Sequence, residues 1–203
     1  MNSNILKNKN CLITGATGGL GKEIAVELVK CGCNLFLTSK EENLEKLKLE
    51  IEKINKEVII EHQFADLRSD DGISVLIKKI RAKFKSIDVL INCAGENHRK
   101  SLSESTMEEY DSCMNLNVRA PFVLAKEFSK DMIKNEWGRI VNIASSGAYN
   151  GLKNTTIYRS SKHALLGLSR SLHNELKEFN VRTFCISPGP IKTEMGKDII
   201  KII

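Results

Sequence analysis

A tyrosine and a lysine stand four residues apart in the stretch YRSSK, as Tyr158 and Lys162. On a helix that spacing puts both on one face, one turn apart. An ammonium near a phenol favours the phenolate, so such a pair could exchange a proton near neutral pH, where a free tyrosine would not. A surface helix with an incidental Tyr and Lys has the same spacing. What decides between the two readings is the set of elements that would position the pair.

A second stretch with chemical meaning is TGATGGLG, residues 14–21. Gly15, Gly18, Gly19 and Gly21, with Thr17 and Leu20 among them, line a turn between a strand-like run and an amphipathic one. Glycines let a backbone approach a ligand and take positive φ. The helix N-terminus that follows offers free N–H groups and a positive dipole end to a pyrophosphate. The spacing is GxxxGxG rather than GxGxxG, and the lysine of a P-loop is missing. A glycine-rich turn without a ligand is the alternative.

Short β-rich runs alternate with amphipathic ones along the whole chain. The patterns predict strands at 11–14, 34–38, 58–63, 88–92, 139–144 and 181–187, and helices at 20–31, 41–55, 70–85, 106–135 and 157–179. In the first helix Leu20, Ile24, Leu28 and Cys31 are expected on the buried face. The strands read as nearly continuous apolar runs, as parallel strands covered on both faces do. The expectation is an α/β fold: a doubly wound Rossmann-type parallel sheet of about six strands, flanked by helices on both faces in three layers, with residues 1–203 as a single domain. A ligand should lie beyond the carboxyl ends of the strands.

Small or polar residues occupy those ends. Ser39 and Lys40 follow the second strand, where an acid would suit a ribose hydroxyl and a base a 2′-phosphate. This favours NADP(H) over NAD(H), with an exposed lysine as the alternative. Asp66 and Leu67 follow the third strand, Asn92, Cys93, Ala94 and Gly95 close the fourth, and Ser145 follows the fifth. Pro188, Gly189, Ile191 and Thr193 follow the sixth.

Composition narrows the classes. The chain has 203 residues, 41% apolar and 28% charged, which suits a soluble globular protein. No apolar run reaches the ~18–20 residues of a membrane span, and the N-terminus lacks a signal segment, so a cytoplasmic protein is expected. The net charge of +6 is spread over helices where acids alternate with lysines, which argues against a nucleic-acid partner. The six cysteines form no CxxC pair and the four histidines show no ligand spacing, so thiols are expected and no metal.

Taken in order, TGATGGLG, ADL, NCAG, NLNV, VNIASSG, YRSSK and PGPIKT resemble the motifs of the short-chain dehydrogenase/reductase family. The resemblance implies hydride transfer between a nicotinamide nucleotide and a carbonyl or alcohol, with reduction favoured. It implies that Ser145, Tyr158 and Lys162 form a catalytic trio, Ser145 lying thirteen residues before Tyr158, and that Asn117 of NLNV joins them by holding a water that links Lys162 to solvent. By the same resemblance Asp66 would bind adenine, Asn92 would stabilise the central strand beside the cofactor, and Thr193 would hold the nicotinamide carboxamide. Cys93 stands where the family usually has a second asparagine. The family usually continues for several dozen residues beyond PGPIKTEM, so the chain is expected to be C-terminally short. The alternative function is a catalytically silent nucleotide-binding protein, a sensor or scaffold on the same fold. The implied partners are a small carbonyl or alcohol substrate and further copies of the chain, a homo-oligomer packed through helices 106–135 and 157–179. Polar residues in the loops expected near the substrate, among them Glu96, Asn97, His98, Arg99, Tyr149 and Asn150, suit a polar or acidic substrate.

Overall fold

A computed structural model describes residues 5–40 and 43–191. Among these residues six strands form one sheet: β1 (Asn10–Thr14), β2 (Asn34–Ser39), β3 (Ile60–Phe64), β4 (Val89–Asn92), β5 (Gly138–Ile143) and β6 (Val181–Ile186). Their order is β3-β2-β1-β4-β5-β6, and every pairing is parallel. The chain winds outward from β1 in one direction and then returns to wind outward from β4 in the other. The topological switch therefore falls between β1 and β4, where parallel α/β sheets leave a crevice at their carboxyl ends.

Helices α1 (Gly19–Lys30), α2 (Leu44–Ile51), α3 (Asp70–Lys83), α4 (Met107–Met114), α5 (Ala120–Lys134) and α6 (Thr156–Leu176) connect the strands. Strand residues alternate between two cores, as the period of two requires. Leu12, Phe36, Leu90 and Ile140 pack on one face with side chains from α3, α5 and the end of α6. Cys11, Ile13, Leu35, Leu37 and Ile91 pack on the other with α1 and α2. Helices thus cover both faces, as the alternation of strand and helix patterns predicts.

Local sequence accounts for several boundaries. Ser69 caps α3 by accepting from Gly72 N, with Asp70 and Asp71 in the first turn and Arg81 and Lys83 in the last. Thr106 and Glu109 form a reciprocal capping box at α4. Two expectations need correction. The buried residues of α1 are Gly21, Ala25 and Val29, while Leu20, Ile24 and Leu28 are only partly covered. Close docking selects the small residues: a methyl group on Gly21 would lie 2.2 Å from the Gly15 carbonyl oxygen. The helix expected over 106–135 is interrupted by a π-helical turn at Asn115–Arg119, where Ala120 N donates to the Asn115 carbonyl. Pro121 follows at the start of α5 and has no N–H to give the Asn117 carbonyl, which favours such a break.

Candidate active site

Beyond the carboxyl ends of the strands lies one cavity of about 670 Å³. Gly15, Thr17, Gly18, Gly19, Leu20 and Gly21 form its wall at β1, and Ser39 and Lys40 at β2. Asp66 and Leu67 enter from the β3 exit, Ala94 and Gly95 from β4, and Pro188, Gly189 and Ile191 from β6. Ser145, Tyr158 and Lys162 line the same cavity. Thr193 lies outside the described residues.

The glycine turn is shaped for close approach. Gly15 has φ +65°, and a methyl group there would come within 2.8 Å of the Ala94 backbone. The side chain of Thr14 fixes that neighbour: its Oγ1 accepts from Cys93 N at 3.1 Å and Ala94 N at 3.0 Å. Gly18 is the N-cap of α1 and has no side chain with which to cap it, and no acid stands in the first turn. The first N–H groups of the helix are left for an anion. A cradle of glycine backbone, an uncapped helix end and a cation at the second strand together fit a dinucleotide.

At the far end, Thr17 Oγ1 and Ser39 Oγ lie 2.7 Å apart. Asp66 is held by Arg68, whose backbone N and Nε donate to its Oδ1 at 3.0 and 2.9 Å. That hydrogen-bonded guanidinium keeps the carboxyl below its ordinary value, and Lys40 adds to the effect. Arg68 lines the cavity as well. Its sequence signal was only its place directly after ADL.

At the other end, α6 carries Tyr158 and Lys162 on one face, and Lys162 Nζ lies 5.7 Å from the phenol ring centroid. Lys162 is 5% exposed and donates to the Ile143 carbonyl at 2.9 Å. Burial brings its pKa from 10.5 down to about 8. Tyr158 moves the opposite way from the expectation set by its lysine. Burial pushes the phenol above its ordinary value, and the neighbouring Ser145 hydroxyl offsets only part of that. Without the charge of an oxidised nicotinamide beside it, burial dominates the phenol.

Two candidates do not reach the cavity. Asn92 is buried and donates to Asn142 Oδ1 at 2.7 Å; Asn142 in turn donates to Ser169 Oγ at 2.9 Å. It ties β4 to β5 and α6 rather than touching a ligand. Asn117 is fully buried, and its Oδ1 accepts from Glu96 N at 3.0 Å. Its Nδ2 donates to the Glu96 carbonyl at 3.0 Å and to Ser161 Oγ at 2.9 Å. Ser161 Oγ donates to the Tyr158 carbonyl at 2.7 Å, so the π-helical turn is pinned to α6 between Tyr158 and Lys162. These bonds hold the Asn117 side chain in place at the break between α4 and α5. Among the described residues no cluster of potential metal ligands occurs, and no helix is long and apolar enough to cross a membrane.

The comparisons with known proteins agree with this geometry. The sequence model of the short chain dehydrogenase family matches residues 9–201. The 3-oxoacyl-[acyl-carrier-protein] reductase of Buchnera aphidicola subsp. Schizaphis graminum is 33% identical over 195 residues, covering 96% of this chain and 78% of the relative. The 2-dehydro-3-deoxy-D-gluconate 5-dehydrogenase of Dickeya dadantii is 32% identical over 198 residues, covering 95% and 76%. A short-chain dehydrogenase from Sphingobium yanoikuyae in complex with NADPH superposes with a TM-score of 0.87 at 26% identity, covering 92% of this chain and 73% of that one. With the crevice, the glycine cradle and these relatives in agreement, the chain belongs to the short-chain dehydrogenase/reductase family, whose members are nicotinamide-dependent oxidoreductases of CH–OH and C=O groups.

Proposed function

We propose that the protein reduces a small carbonyl substrate with NADPH, using Ser145, Tyr158 and Lys162 as its catalytic residues. The observation that carries this reading is the sharing of one cavity by the glycine turn, Ser145, Tyr158 and Lys162, with the lysine amine 5.7 Å from the phenol ring centroid. When bound, a nicotinamide nucleotide supplies the hydride. The remaining work falls to the chain. Ser145 donates a hydrogen bond to the substrate oxygen, on which negative charge develops. Tyr158 gives that oxygen a proton. A phenol keeps its proton at neutral pH, so Tyr158 can serve as the acid of the reductive direction. Lys162, near pKa 8, holds a proton at neutral pH yet can release it to restore the phenol. Asn117 and Ser161 act as positioning residues by fixing the backbone of Tyr158.

Lys40 beside Asp66 supports NADP(H) over NAD(H), since a cation at the adenosine end favours an added phosphate. Half-exposed apolar side chains on α4 and α5, such as Tyr110 and Phe122, support packing into a homo-oligomer. Fluorescence titration with NADPH and NADH, followed by a carbonyl panel, tests the reading. NADPH should bind more tightly, and Lys40→Ala should erase most of the difference. Equal binding of both nucleotides to the unaltered protein would reject the NADP(H) assignment, and binding without turnover of any carbonyl would reject the enzyme assignment.

A further inference from the structure

Two residues of YRSSK, Arg159 and Ser160, are unused by this mechanism. Arg159 follows Tyr158 directly and lines the same cavity. Its Nη1 donates to the Asn150 carbonyl at 2.8 Å and also to the Asn150 side-chain oxygen. These bonds lay the guanidinium beside Gly147: a methyl group on Gly147 would meet Arg159 Cζ at 3.6 Å and Ser145 Oγ at 3.4 Å. Both atoms lie that close to one point, so no more than the sum of the two distances, about 7 Å, separates them.

Among the described residues one nitrogen of the guanidinium is engaged. Among the described residues Nε and Nη2 have no hydrogen-bond partner, and no carboxylate pairs with Arg159. The Nε–Nη2 edge presents two parallel N–H groups, the arrangement that grips a carboxylate at both oxygens. Arg99 lines the cavity too and has no ion pair among the described residues. Arg68, by contrast, is neutralised by Asp66. The end of the cavity next to the reacting oxygen thus carries the guanidinium of Arg159 without a counter-charge among the described residues.

We propose that Arg159, with Arg99 as a second cation, anchors a carboxylate on the substrate, so that the enzyme acts on short oxo acids and their hydroxy acids rather than on neutral ketones and alcohols. This rests on the oxidoreductase reading above. With bonds of ~1.5 Å and hydrogen bonds of ~2.8 Å, a carboxylate within about four carbons of the carbonyl reaches the Arg159 edge while the carbonyl oxygen meets Ser145.

The test separates binding from turnover. Calorimetry measures 3-hydroxybutanoate, 4-hydroxypentanoate and the amide of each against NADPH-saturated protein, a dead-end complex with no reaction. The acids should bind roughly ten- to a hundredfold more tightly than their amides, the range expected for charge-assisted hydrogen bonds. Arg159→Gln should bring the ratio to within about threefold, and Arg159→Lys should restore part of it, since a point charge lacks the fork. NADPH affinity should not change. A ratio near one in the unaltered protein, a ratio that survives Arg159→Gln, or no binding of either acid overturns the proposal. So does weakened NADPH binding in Arg159→Gln, which would assign the guanidinium to the cofactor. NADPH oxidation by 3-oxobutanoate and 3-oxobutanamide completes the test. Equal turnover of acid and amide overturns the carboxylate anchor alone; charge-selective binding without any turnover overturns the oxidoreductase reading alone.

Discussion

Replacing Lys162 by methionine should make the protein more stable at neutral pH while removing its activity. The lysine is 5% exposed, and among the described residues its amine has one hydrogen-bond acceptor, the Ile143 carbonyl at 2.9 Å. Burial lowers its pKa from 10.5 to about 8, so between those values the unfolded chain binds more protons than the folded one. Stability then rises with pH across that window, and below it the folded state carries the full cost of a buried ammonium. At ~1.36 kcal/mol per pH unit the cost is about 3 kcal/mol. Methionine fills a similar volume without the charge but leaves the Ile143 carbonyl without its donor, which returns about 1 kcal/mol. A net gain of about 2 kcal/mol is expected at pH 7. Urea unfolding of both proteins at several pH values measures it. The gain should shrink from pH 8 upward and vanish or reverse by about pH 10.5, the unperturbed value. A variant that is less stable at pH 7, by an amount independent of pH, would show that the amine is not held in a desolvated site and would refute the reasoning.

Further outcomes follow from the same geometry. Gly15→Ala combines a positive φ with a 2.8 Å contact to the Ala94 backbone, so it should abolish NADPH binding in a titration while lowering stability by about 2 kcal/mol or more. Ser161→Ala removes one acceptor from the buried Asn117 amide and should cost about 1–2 kcal/mol in urea unfolding, with a fall in kcat and little change in NADPH affinity. The Cys93 thiol, pushed up to about 11 by burial, should react slowly with Ellman's reagent at pH 7 and faster above pH 10. Because Cys93 lines the cavity, NADPH should slow that reaction further. Alcohol oxidation needs the phenolate of Tyr158, whose pKa is raised, so its rate should climb with pH into the alkaline range while reduction prevails near neutrality; a pH profile of both directions checks the sign.

Much of the fold was legible because its signals are local. The apolar runs that fix β1 and β4, and the glycines between β1 and α1, act through residues adjacent in sequence. The buried stripe of α1 was misread because apolar size points to Leu20 and Ile24, whereas tight docking on the Gly15 backbone selects Gly21 and Ala25. The π-helical turn left only Pro121 as a trace in the sequence. Arg159 and Arg68 were passed over for a different reason. Their meaning depends on which acceptors reach them, Asn150 in one case and Asp66 in the other, and on which edges stay open. The spacing of Tyr158 and Lys162 was read correctly as a shared helical face, but the direction of the phenol's shift depends on burial, and a four-residue spacing carries no burial.

The most direct test of the account compares NADPH oxidation by the unaltered protein and by Tyr158→Phe across a panel of short oxo acids and ketones. The account predicts measurable turnover that falls at least about a hundredfold in the variant, as loss of a general acid should cause, with NADPH affinity unchanged. Turnover that survives the loss of the hydroxyl would contradict it, as would NADPH binding with no turnover in the unaltered protein.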